Sequence, residues 1–85
     1  MNKYSNLDKM EKETFVKNFA SQLDETDPEL IEFTTNFKDL EEWSSLTALS
    51  IMAMSDEEYG VKLTAEDIKN STTLADLYET ISSKA

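Results

Sequence analysis

Between Leu7 and Leu23 the apolar residues are Leu7, Met10, Phe15, Phe19 and Leu23, the last three spaced four apart. Residues four apart are neighbours on a helix surface, so this stretch predicts a helix with one apolar face. Residues 1–6 read as a loose lead-in. Asp24-Glu25-Thr26-Asp27-Pro28 ends the helix, since Pro28 lacks an amide proton and restricts Asp27. From Glu29 to Ser44 the periodicity breaks down, with Leu30, Ile31, Phe33, Phe37, Leu40 and Trp43 scattered among polar residues. This predicts a long, largely non-helical connection with one short turn, pinned by its aromatic residues. Such a loop in a compact domain often has a function.

The next segment returns to a helical pattern. Ser44 or Ser45 caps a helix running through Leu46, Leu49, Ile51, Met52, Ala53 and Met54 to Tyr59, with Gly60 as its stop. At about 100° per residue, Ala48, Ile51, Met52 and Tyr59 share one arc, with Ser55 at its centre. Leu46, Leu49 and Ala53 form a second arc. If the first arc is core, the second is exposed apolar surface flanked by Asp56, Glu57 and Glu58. Met52 and Met54 read as core filler, and Trp43 as a packing anchor. Thr64–Asn70 predicts a short helix, with Thr64 and Asp67 in capping-box spacing. A last helix starts near Thr72 or Thr73 and carries Leu74, Leu77, Tyr78 and Ile81. The expected architecture is all-α, three main helices plus a short third one, in a single domain over residues 1–85.

Composition then narrows the chemistry. The 85 residues hold eight Lys and Arg against eighteen Asp and Glu, a net charge of −10. A chain so acidic is repelled by phosphate backbones and by anionic lipid, so nucleic acid and membrane surfaces are not expected partners. No apolar run approaches the roughly 20 residues of a membrane span, and the start lacks a signal-peptide pattern. A cytoplasmic monomer is the expectation. There is no histidine and no cysteine. That excludes histidine bases, thiol nucleophiles, disulfides and His or Cys metal sites. An EF-hand fits poorly, because Gly60 at the sixth loop position would make Ser55 and Tyr59 calcium ligands. No catalytic and no metal-binding residue is expected.

The residues Trp43-Ser44-Ser45-Leu46, the apolar helix after them and the ending Asp56-Glu57-Glu58-Tyr59-Gly60-Val61 resemble the acyl carrier protein family. Phe37-Lys38-Asp39-Leu40 resembles the F-x-D-L of that family's long loop. Leu63-Thr64-Ala65-Glu66-Asp67-Ile68 and Ser71-Thr72-Thr73-Leu74 resemble its short third helix and the start of its fourth. The resemblance implies an acyl-carrier-like four-helix bundle with a long first loop. It also implies phosphopantetheine joined covalently to a serine, whose terminal thiol holds an acyl group as a thioester. Family spacing back from Tyr59-Gly60, together with Leu46, selects Ser45 as the attachment residue.

Two positions depart from the family. Ser44 stands where an aspartate that helps dock the modifying transferase is usual, and Ser55 where an aliphatic residue is usual. The Ser55 hydroxyl is expected to bond its own helix four residues back, and an aliphatic replacement to stabilise the fold. The resemblance implies a non-catalytic carrier modified by a phosphopantetheinyl transferase and visiting acyl-transferring, ligating or condensing enzymes with basic docking patches. Leu46, Leu49, Ala53, Asp56 and Glu57 are the expected docking residues. The stand-alone length and the W-S-S-L-T-A-L stretch look closer to discrete carriers of surface-polysaccharide or secondary-metabolite pathways than to the housekeeping fatty-acid carrier. A peptidyl or aminoacyl carrier, and an acidic helical adaptor without cofactor, are the alternatives.

Overall fold

The computed structural model describes residues 3–85, with side chains from Lys12 onward. Its helices are α1 (Lys3–Ala20), α2 (Ser45–Tyr59), α3 (Ala65–Lys69) and α4 (Leu74–Lys84), with short 3-10 turns at Pro28–Leu30 and Phe37–Asp39. The all-α, acyl-carrier-like arrangement read from the sequence is the one observed. Residues 3–6 of the expected lead-in belong to α1, while residues 1–2 lie outside the described set. The side chains of Leu7 and Met10 lie outside it too.

Phe15, Phe19 and Leu23 are buried together, as their spacing required. α1 itself ends at Ala20, and the chain then tightens, Leu23 donating its amide to the Ala20 carbonyl. Around these residues the core gathers Ile31, Phe37, Ile51, Met54, Val61, Leu63, Ile68, Leu74, Leu77 and Ile81. Aromatic edges tie the elements: Phe15 meets Tyr59 at 6.1 Å and Tyr78 at 5.8 Å, and Phe19 meets Phe37 at 5.9 Å. Phe37 also packs edge-on against Trp43 at 4.7 Å. Each such pair contributes about 0.5–1.5 kcal/mol beyond its burial.

The loop between α1 and α2 contains two turns where one was expected, both capped by their own side chains. Asp27 accepts from the Glu29 amide, and Asn36 from the Lys38 amide. Its backbone also completes α4. Helix N-termini leave amides without intrahelical acceptors, and here the Thr35 carbonyl accepts from Leu74 (3.2 Å) and the Phe33 carbonyl from Ala75 (2.9 Å). Lys38 Nζ reaches the Lys69 carbonyl at the end of α3 (2.7 Å), a cation on the negative helix end. Thr64 with Asp67, and Thr73 with Asp76, form full capping boxes. Gly60 closes α2 at φ 67°, the left-handed region where a side chain is strained.

Candidate functional site

The N-terminus of α2 is built by a small hydroxyl network. Ser44 is the cap, extended at φ −157°, and its Oγ accepts from the Thr47 amide at 3.3 Å. The Thr47 hydroxyl donates to the Glu42 carbonyl at 2.8 Å. Its one proton is thereby committed, so in the 3.2 Å contact between the two hydroxyls Ser44 donates and Thr47 accepts. Ser44 is therefore occupied as both donor and acceptor. Ser45, the first residue of α2, is exposed, and among the described residues nothing bonds its hydroxyl or the amides of Ser45 and Leu46. An exposed hydroxyl beside free helix-end amides is a setting that favours an attached phosphate.

Glu42, just upstream, is half-buried and accepts from the amides of Asp24, Glu25 and Thr26 and from the Thr26 hydroxyl. Burial pushes its carboxyl up, but these four donors together outweigh that and hold it below its ordinary value.

Along α2 the buried side is Thr47, Ile51, Met54 and Ser55. This arc is turned slightly from the expected one. Ala48, Met52 and Tyr59 pack at the core's edge instead of at its centre: Ala48 and Met52 face α3, and Tyr59 lies against Phe15 and Asn18 of α1. Between α2 and α3 lies a groove of about 300 Å³ lined by Ser45, Ala48, Leu49, Met52, Ala65 and Ile68. Apart from Ser45 its lining is apolar. Ser55 is fully buried, but its hydroxyl bonds the Val61 carbonyl at 2.8 Å, not its own helix four residues back. It ties α2 to the chain beyond Gly60.

The outward side of α2 carries Leu46 (75% exposed), Leu49 (58% exposed) and Ala53, with Asp56, Glu57 and Glu58 exposed at its end. Lys62 pairs with Asp56 at 3.2 Å, leaving Glu57 as the more available charge on that side. The structure thus brings all the expected docking residues onto one helix. Sequence reasoning missed Thr47 and Glu42. The signal for Thr47 was its place three residues after a serine cap; Glu42 had none, since its side chain is held by three backbone amides and one hydroxyl sixteen or more residues away in the chain.

A family described as the phosphopantetheine attachment site matches residues 13–81. The chain belongs to this family. Its members attach phosphopantetheine covalently to a serine, and the matched stretch spans all of α2, α3 and the loop before them. This phosphopantetheine-carrying protein finds no match among curated proteins or among solved structures. Among its described residues no helix is long and apolar enough to cross a membrane.

Proposed function

We propose that Ser45 is the attachment residue and that the protein carries acyl groups as thioesters to partner enzymes of fatty-acid-like, surface-polysaccharide or secondary-metabolite biosynthesis. The observation that carries the reading is the contrast at the α2 N-terminus: the Ser44 hydroxyl is locked in the cap, while that of Ser45 is free and exposed. The bound group supplies the thiol that a chain without cysteine lacks. The protein's own residues present the serine, hold the phosphate at the positive helix end and offer a surface to partners. The groove that opens at Ser45 favours an aliphatic cargo over an aminoacyl one, whose ammonium would lose hydration against Met52 and Ile68. In this reading the protein is a substrate of a cytoplasmic phosphopantetheinyl transferase and has no catalytic role of its own.

Intact-mass measurement after co-expression with a broad-specificity transferase tests this. One added cofactor mass is expected in wild type and in Ser44→Ala, and none in Ser45→Ala. Modification that survives in Ser45→Ala overturns the assignment.

A further inference from the structure

The turn after α1 leaves the amides of Asp24, Glu25 and Thr26 pointing at one spot, and among the described residues no backbone carbonyl accepts from them. A concave run of donors like this holds an anion. Glu42 fills it with both oxygens: Oε2 accepts from Asp24, and Oε1 from the Glu25 and Thr26 amides (3.0 Å each) and the Thr26 hydroxyl (2.8 Å). The same residue's carbonyl takes the Thr47 hydroxyl, which in turn holds Ser44. One residue therefore grips the turn after α1 with its side chain and the first turn of α2 with its backbone.

We propose that Glu42 is a positioning residue for the modification of Ser45, fixing the entry of α2 against the turn after α1. This rests on the reading that Ser45 carries the cofactor. Glu42 is not part of the apolar core: Phe15, Phe19, Phe37 and Ile51 are packed by other side chains. Its effect falls on where the α2 N-terminus stands, and hence on where the Ser45 hydroxyl is offered. A transferase must align that hydroxyl with the phosphorus it attacks, and a misplacement of about 1 Å costs on the order of 100-fold in rate. The Ser45 oxygen forms the new phosphodiester bond, its proton passes to the transferase's base, and the nucleotide part of coenzyme A leaves.

The test uses the full chain and a phosphopantetheinyl transferase with coenzyme A, following intact mass over time with the carrier concentration varied. Glu42→Ala is expected to lower kcat/KM by about tenfold, and Glu42→Gln by less, because its amide oxygen still accepts. Asp76→Ala removes a carboxylate that caps α4 in a similar way, far along the chain from Ser45, and serves as the stability control. It should stay within about twofold of wild type. Thr47→Val breaks the relay at the bond to the Glu42 carbonyl but leaves the Glu42 side chain in its turn, so it replaces Glu42→Ala if that variant fails to fold. Amide NMR gives a readout independent of the cofactor: Glu42→Gln should shift Asp24–Thr26 and, through the relay, Ser45–Thr47. Unchanged kinetics in both Glu42→Gln and Thr47→Val overturn the proposal, as does an equal loss in Asp76→Ala. Absence of any shift at Ser45–Thr47 overturns it as well. Wild type that gains no cofactor mass, or Ser45→Ala that does, instead defeats the Ser45 reading, and the NMR coupling then shows separately whether the relay exists.

Discussion

Ser55 shows how a single hydroxyl reverses an expectation drawn from periodicity. The pattern placed it in the core, and it is there. What the pattern lacked was its partner, because the Val61 carbonyl lies beyond a left-handed turn that α-helical spacing does not describe. A larger side chain at this fully enclosed position must displace neighbours and also leaves that carbonyl without its donor. Ser55→Leu should therefore destabilise the fold by about 1–3 kcal/mol, and Ser55→Ala by about 1 kcal/mol. Thermal and denaturant unfolding check both, and a raised midpoint for Ser55→Leu would mean the site has unused room. Gly60 gives a cleaner case: nothing lies within 4 Å of where its Cβ would stand, so space is not the constraint. Gly60→Ala should still cost about 1–2 kcal/mol, all of it from the backbone conformation. Ser45 was singled out by its surroundings in the sequence, whereas the bonds that occupy the Ser44 hydroxyl are seen only in its contacts with Thr47, which is in turn held by Glu42.

Among the elements, α2 was the easiest to anticipate and the loop before it the hardest. Helix periodicity separated Leu46, Leu49 and Ala53 from the core because both sets follow the same 3.6-residue repeat. In the loop, Ile31 and Phe37 act as buried pins, but the bonds from Thr35 and Phe33 to α4 run between backbone atoms and leave no residue-type signature. If partners meet the exposed apolar strip of α2 that ends in Glu57, they should carry a basic rim around an apolar recess. Its charges should govern encounter and its leucines residence time. Glu57→Lys is expected to slow association with the transferase several-fold at low salt. The deficit should shrink at physiological strength, where the Debye length is about 8 Å. Glu13→Lys on α1 is the control. Equal slowing by both would reduce the effect to net charge and remove any special role for α2.

For the whole molecule, acid is the informative stress. Among the described residues, three carboxylates sit below their ordinary values. Asp67 is held by the Lys84 ammonium and the Thr64 amide, and Asp76 by the Thr72 and Thr73 amides. In Glu42, burial acts upward but the donors of residues 24–26 prevail. A folded pKa below the unfolded one adds stability above the unfolded value, and that stability is lost as pH falls through the folded value. The ordinary values are 4.5 for Glu and 3.8 for Asp, so the loss sets in as pH falls through about 4.5 for Glu42 and about 4 for the two aspartates. Relief of repulsion within a chain of net charge −10 works the other way, so the midpoint of wild type alone mixes the two. The difference between wild type and Asp76→Asn isolates the carboxylate: it should be constant near neutrality and close on acidification. A gap that widens as pH falls would contradict the assignment.

The backbone bonds from the loop to α4 bear on how the chain comes apart. Because carbonyls of Phe33 and Thr35 complete the first turn of α4, the amides of Ala75 and Leu74 cannot exchange with solvent deuterium merely by fraying of that helix. Their protection instead measures how often the loop lifts away. A single protease cut between Phe33 and Phe37 would then loosen a helix that lies far downstream of the nick. Two amides in α4 thus serve as reporters for a segment they do not belong to.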